Sequence, residues 1–481
     1  MKEISQAHPA SLRVFFGTEM WERYGFYVVQ TLLTLYLALH FHWRDKNVYA
    51  LVGSFTALTY VSPIIGGWIA DHLIGQKRAI LSGAAVLLLS YIGVSFVSTD
   101  EGLTATLAGI AVGTGLLKPN ISSLLGNAYP VGSPNRENGF TIFYMGITTG
   151  IILGTTIPSY LNYYFGWSIS FVSAAVGMLL AIGVFSFGIY RYHIEDYHRY
   201  EYQLKKILMA ILLMLLLWRA AFYILNYPAL ANIVFISAVV MSVCYLLYRI
   251  SCEKGAQARQ TTVILLLCII SVFFWAFYFQ MFLSFTLFIA RVVKPQLFNI
   301  HFPPPYYVGI QSFGMIFFGI LLSRSPNQQK QSQQTVRIGN KFVLAMLFMT
   351  GAFAILVLVC KYTSPLVGLS PLFIIPAYLM ISIAELLLSP VGLAAITMLA
   401  SPNKVSTMMG IFFVSLGIGA FLAGKLASLT AAMNTEMSIV EMKAHYAASF
   451  SQLLVILGFA TAVCVVLNLL IKYLMTRTDH K

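Results

Sequence analysis

Charge is scarce in this chain. Only 10% of its 481 residues are Asp, Glu, Lys or Arg, while 59% are hydrophobic. A soluble protein carries roughly 25% charged residues, so the shortfall excludes a soluble multidomain enzyme. Acid is scarcer than base, 16 residues against 30, for a formal charge of +14. No basic cluster stands beside an aromatic reading surface, so a nucleic-acid partner is not expected. The five cysteines, Cys244, Cys252, Cys268, Cys360 and Cys464, show no CxxC or metal-ligand spacing and read as small apolar residues. The nine histidines form no HExxH pattern, and His40 and His42 read as interfacial. No nucleophile–base pair stands out either. Neither a metal, a catalytic residue nor an organic cofactor is expected. A cleavable signal peptide is not expected, because the apolar run from Val14 is too long and holds Glu19, Glu22 and Arg23.

What is present is long apolar blocks, such as Ile207–Leu217 and Val263–Phe274. Crossing a bilayer takes roughly 20 mostly apolar residues. Breaks at charged or Pro/Gly-rich stretches place helices near 13–40, 49–72, 79–97, 103–128, 138–163 and 168–191. A polar link, Arg191–Lys206, leads to a pair near 207–226 and 229–250. A second link, Ser251–Gln260, leads to 262–290, 304–323, 341–360, 370–399, 405–432 and 447–475. The expectation is an all-α polytopic membrane protein of about 14 spans. It divides into a six-helix bundle over 1–191, a linker with an extra pair over 192–260 and a second six-helix bundle over 261–481. An even number of spans puts both termini on one side. Most Lys and Arg fall on that side, which predicts cytoplasmic termini.

Twelve core helices in two bundles with a central cavity form the major facilitator fold, with substrate near the midplane. The stretch Gly66-Gly67-Trp68-Ile69-Ala70-Asp71-His72-Leu73-Ile74-Gly75-Gln76-Lys77-Arg78 resembles that superfamily's signature between helices two and three. Its glycine pair permits close packing, and Asp71 is expected to cap a helix end. His72 stands where the superfamily often has Arg.

An ionisable residue inside a span costs at least ~2.5 kcal/mol and is a functional candidate by default. Glu19, Glu22 and Arg23 fall on one face of the first helix, and Tyr27 and Gln30 continue it. Glu22 lies roughly 12 Å in from the helix start. Lys118, followed by Pro119, lies in the fourth span, and Glu385 in the tenth bundle helix. Both are roughly 22 Å from the outer end. These five groups share the inner half of the membrane and are expected to pair across the cavity. Their formal sum is minus one, so a single proton neutralises them. Protonating a carboxylate would release its basic partner and let a gate rearrange. Lys425 and Arg219 are read as snorkelling.

These residues form a set. Glu19-Met-Trp-Glu22-Arg23-Tyr-Gly-Phe-Tyr27 resembles the ExxER-plus-tyrosine motif of the proton-dependent oligopeptide transporter (POT/PTR) family. Gly115-Leu-Leu-Lys118-Pro-Asn-Ile-Ser, Phe140-Thr-Ile-Phe-Tyr144-Met-Gly-Ile, Phe274-Trp275-Ala276 with Gln280, and Glu385-Leu-Leu-Leu-Ser389-Pro390-Val-Gly-Leu are similar to its fourth-, fifth-, seventh- and tenth-helix motifs, in that order along the chain. The resemblance implies proton-coupled symport of di- and tripeptides by alternating access in a bacterial inner membrane, by a functional monomer, with protons as the coupling ion. Glu19, Glu22, Arg23 and Lys118 take the coupling positions. Glu385 takes the position that meets the peptide amino terminus. Tyr27, Gln30, Tyr60, Lys118, Tyr144, Thr148, Trp275, Gln280 and Ser389 complete the implied substrate site. Three positions depart from the family pattern: Gln30 where Arg is usual, Phe279 where Glu is usual, and Thr148 where Asn is usual. Losing the Arg and the Glu together leaves no orphan charge. The alternative implied is a divergent member carrying a non-peptide or modified-peptide substrate.

Overall fold

The computed structural model describes residues 8–129, 135–196, 203–323, 331–364, 366–401, 404–432 and 437–476. Helix dominates them. In chain order the helices are α1 (Leu12–Leu35), α2 (Asp45–Ile69), α3 (Gln76–Phe96), α4 (Asp100–Asn127), α5 (Asn135–Phe165), α6 (Trp167–Tyr192), α7 (Leu204–Asn226) and α8 (Pro228–Cys252). They continue as α9 (Gly255–Tyr278), α10 (Ser284–Val292), α11 (Pro304–Ser323), α12 (Gln331–Tyr362), α13 (Ile375–Leu399), α14 (Val405–Ala427) and α15 (Ile439–Thr476). Eleven elements are long and apolar enough to cross a membrane, with α9 and α10 counted as one. The helices α1, α4 and α11 are not among the eleven. The first two carry the ionised groups discussed below, which is why their composition is less apolar. The chain is an all-α polytopic membrane protein.

Where the structure differs from the sequence reading, the reasons are local. Several helices begin before their apolar runs, α2 at Asp45 and α15 at Ile439, because helical hydrogen bonding continues past the bilayer-facing stretch. The supposed link Ser251–Gln260 is mostly helix: α8 runs to Cys252 and α9 starts at Gly255, whose φ of 59° only glycine adopts cheaply. Part of the link Arg191–Lys206, residues 197–202, lies outside the described residues. The span expected over 262–290 is interrupted. A 3-10 turn, Phe279–Phe282, and Leu283 at φ −118°, ψ −100° separate α9 from α10. A broken helix frees backbone groups that hydrocarbon cannot satisfy. Side chains take them up: the Gln280 carboxamide donates to the carbonyls of Ala276 (3.0 Å) and Ala423 (2.9 Å), and the Thr286 hydroxyl donates to that of Met281 (2.8 Å). Between α10 and α11 lies a two-stranded antiparallel ribbon, β1 (Gln296–Leu297) and β2 (Ile300–His301). Its turn residues Phe298 and Asn299 both have positive φ, as a tight right-twisted hairpin requires.

Packing divides the chain into two compact units, Met1–Leu33 with Leu58–Pro228, and Thr34–Ala57 with Ala229–Lys481. The division falls between α7 and α8. In the first unit α7 lies on α4, where the Trp218 indole donates to the Ala105 carbonyl (2.9 Å) and Asn226 to Thr104 (2.9 Å). In the second unit α8 meets α14 through stacked Phe235 and Phe421, 4.5 Å apart. Leu208, Leu212, Leu215 and Leu216 remain exposed on α7, the mark of a lipid-facing helix.

Without a hydrophobic drive between helices in lipid, close approach falls to small residues. In the first unit Gly146, Gly150 and Gly154 of α5 lie on Phe16, Met20 and Tyr24 of α1. A Cβ on Gly150 would sit 2.3 Å from the Met20 carbonyl oxygen and 2.9 Å from Arg23 Cβ. Gly66 meets Gly115 still more tightly, its Cβ position being 2.0 Å from that carbonyl oxygen.

Candidate functional site

The α5 glycine stripe sets the level of the first site. Arg23 on α1 is buried, and its guanidinium grips Glu22 through two nitrogens, with Nη2 2.5 Å from Oε1. Its Nε also lies 3.5 Å from Glu19, and the ring of Phe26 is 4.9 Å from its centre. Glu22 is 0% exposed and Glu19 2%. The second oxygen of Glu19 is buried and has no hydrogen-bond partner among the described residues. One guanidinium therefore serves two carboxylates, and the set is short of one donor.

Lys118 on α4 is in Coulombic reach of Glu19, Glu22 and Arg23. It forms no salt bridge within 4.0 Å among the described residues. Its ammonium instead lies over the ring of Tyr60, 4.8 Å from the centroid, a cation–π contact. The direct pairing of Lys118 with a carboxylate, expected above, is not what the structure shows. An aromatic face holds the lysine beside the pair it could neutralise.

Glu385 on α13 belongs to the second unit and has its own partners there. The Tyr278 hydroxyl (2.9 Å) and the Gln311 carboxamide (2.6 Å) both donate to its Oε2. Among the described residues of that unit no cation lies within salt-bridge distance of Glu385. Its partners within that unit are neutral. Neither Tyr278 nor Gln311 was anticipated. The signal was available for Gln311, a polar residue inside the apolar run of α11. Tyr278 had none, because a tyrosine in an aromatic-rich span is ordinary.

The other sequence candidates divide by availability. Ser389 lies one turn from Glu385 on α13 and is half-buried, as are Tyr27 and Tyr60. Tyr144 is 53% exposed, and the Thr148 hydroxyl donates back to its carbonyl (3.1 Å). Trp275 is buried, and its indole nitrogen has no hydrogen-bond partner among the described residues. Gln30 is buried. Gln280 is not available to a substrate here. It is fully buried, its nitrogen spent on two carbonyls and its oxygen on the Ser284 hydroxyl (2.6 Å). Its place in the motif is explained by the helix break it mends. At the start of α3 the amide of Lys77 donates to Asp196 (2.8 Å). No group of three or more metal-ligating side chains occurs among the described residues.

Among the ionic contacts that escaped the sequence reading, one joins several helices. In the second unit Arg291, in the last turn of α10, holds Asp45 of α2 with two hydrogen bonds of 2.6 and 2.8 Å. Asp45 also accepts from the Ala432 amide (2.9 Å), and Arg291 reaches Tyr446 on α15 (3.3 Å). Nearby, a Cβ on Gly53 of α2 would come 2.9 Å from Gly424 Cα of α14, and Thr34 donates to the Phe282 carbonyl beside the α9–α10 break. The ends of α1 and α2 are thereby tied to α10, α14 and α15.

The sequence model of the POT family matches residues 77–446, more than half of the chain. The chain belongs to the POT family. The relatives that this POT-family chain resembles include the dipeptide and tripeptide permease A of Enterobacter sp. (strain 638), 30% identical over 465 residues, 96% of this chain and 91% of the relative. That of Escherichia coli (strain K12) is 29% identical over 466 residues, 96% and 92% of the two chains. Among solved structures, one from a study of substrate recognition in proton-dependent oligopeptide transporters matches with a TM-score of 0.83 and 26% identity, covering 98% of this chain and 100% of that one. A tetrameric PepTSo2 matches with a TM-score of 0.83 at 25% identity, covering 96% and 99%. Against the family pattern, the Gln30 and Phe279 departures are both buried. Neither carries a charge, so neither needs the other.

Proposed function

We infer that this POT-family chain is a symporter that takes up di- and tripeptides with protons by alternating access. The observation that carries the reading is the buried Glu19–Glu22–Arg23 set beside Lys118. It is an intramembrane cluster with one carboxylate oxygen short of a donor, and a single added proton would change its pairing. Glu19, Glu22, Arg23 and Lys118 are the coupling groups, and no organic cofactor or metal enters the scheme. Glu385, whose partners within its own unit are neutral, receives the peptide amino terminus. Tyr27, Tyr60, Tyr144, Thr148 and Ser389 supply further contacts. The permeases named above and the family as a whole support transport rather than catalysis. The bias of Lys and Arg supports cytoplasmic termini in a bacterial inner membrane. Residues 1–191 and 261–481 act as the two moving halves, joined by the extra pair within 192–260, and one chain contains a complete site. Uptake of a labelled dipeptide library into proteoliposomes, with and without a pH gradient, tests the reading. Concentrative uptake that needs the gradient is expected. Uptake indifferent to the gradient would remove the coupling, and failure of every peptide would favour the divergent-substrate alternative.

A further inference from the structure

Tyr278 and Gln311 come from different helices, α9 and α11, yet both donate to the same oxygen of Glu385. Both are held rigidly. Tyr278 is buried and stands edge-on to Trp275, 4.8 Å between ring centres, while its ring stacks on Phe274 at 5.9 Å. Gln311 is 1% exposed, and its own carbonyl accepts from the Ser382 hydroxyl (2.7 Å) on α13. Gly314 permits that approach of α11 to α13, since a Cβ there would lie 2.5 Å from the Ser382 oxygen. Glu385 itself is only partly buried, and among the described residues its Oε1 accepts no hydrogen bond. Two rigid donors on one oxygen fix the torsion of the carboxylate and leave the other oxygen presented. The donors are neutral, so the negative charge is oriented without being cancelled. An ammonium group, with three donors and a full positive charge, is the complement of such an acceptor.

We propose that Tyr278 and Gln311 are positioning residues for recognition of the substrate's primary ammonium group: by anchoring Oε2 of Glu385 they hold Oε1 ready to accept from it. This rests on the reading of Glu385 as the amino-terminal subsite. Without the anchors the carboxylate gains torsional freedom that binding must remove, and selectivity for a free amino group falls. The readout is the ratio of the inhibition constant of an N-acetyl dipeptide to that of the free dipeptide, each competing against a labelled transported parent at fixed pH. Isosteric Tyr278→Phe and Gln311→Met each should lower that ratio several-fold, and the double variant on the order of tenfold. The inhibition constant of the acetylated analogue should stay unchanged. A merely structural role would weaken both compounds together, and that result overturns the proposal. If Glu385→Gln abolishes the discrimination while Tyr278→Phe and Gln311→Met leave it intact, the positioning role alone is wrong. If Glu385→Gln keeps the discrimination, the subsite reading falls and takes this proposal with it. Because both anchor changes conserve shape, binding of the acetylated analogue also reports that the protein has folded.

Discussion

Arg23 in the first unit is shared between Glu22 and Glu19, with Lys118 close by, whereas Glu385 in the second unit is held by a phenol and a carboxamide. The two arrangements respond to different events. In the first, every ionised group has another in reach, so adding or removing one proton changes the pairing of all of them. In the second, the carboxylate is oriented by neutral donors of its own unit, which on the proposed reading leaves it to meet the cation of a substrate. The same cost of placing charge in hydrocarbon is met in two ways, by counter-charge and by neutral donors. On the function proposed above, the first arrangement suits a coupling site and the second a binding site.

The sharpest test of this contrast is charge removal in the first unit. Glu22→Gln is expected to abolish proton-driven accumulation while substrate counterflow, which needs no net proton movement, persists. Unchanged concentrative uptake would take Glu22 out of the mechanism. Lys118→Ala should lower uptake by at least about tenfold, the effect of ~1.4 kcal/mol, and should move the pH optimum. Normal transport at an unmoved optimum would leave the lysine with only its tyrosine contact.

A smaller effect is expected at Asp45 and Arg291, an ion pair of the second unit. Asp45→Asn leaves Arg291 largely buried without its partner, which costs about 2–4 kcal/mol and should lower the melting temperature in detergent. The swapped pair Asp45→Arg with Arg291→Asp should recover part of the loss. No recovery, with each single change near neutral, would mean the contact contributes shape rather than charge.

The smallest effect separates the two ends of the substrate. Gln30 and Thr148 offer neutral groups, and charge-assisted hydrogen bonds are roughly twice as strong as neutral ones. Acetylating the amino terminus of a transported dipeptide should therefore raise its inhibition constant about threefold more than amidating the carboxyl terminus does. The opposite order would mean that Lys118 and Arg23 together replace the missing arginine.

The charged part of this architecture was legible in the sequence because an ionisable residue in an apolar run stands out against its surroundings. Glu19, Glu22, Arg23, Lys118 and Glu385 were found that way, and the apolar runs themselves marked the spans. Asp45 and Arg291 were not, because charges at the ends of spans look like ordinary loop charges until a fold brings them together. Tyr278 and Gln311 were missed for a different reason, since neutral donors carry no penalty large enough to mark a pattern. The break between α9 and α10 was hidden because Phe279–Leu283 is as apolar as the helices beside it. Only Gln280 hinted at it, and that residue read as a ligand contact.

That the partners of Glu385 within its own unit are neutral has an electrical consequence. On the proposed reading, Glu19, Glu22 and Glu385 against Arg23 and Lys118 give the empty carrier a formal sum of minus one. A proton and a zwitterionic peptide bring the sum to zero. The loaded carrier would then cross the field uncharged, and the membrane voltage would act on the empty return, by at most about 2.3 kcal/mol per 100 mV. With the interior negative, that voltage drives the vacant site back outward. It would speed turnover by resetting the protein rather than by pulling on the cargo. Counterflow, which omits the empty return, should then be indifferent to an imposed potassium diffusion potential, while net uptake rises with it. Voltage-dependent counterflow would shift the moving charge to the loaded step.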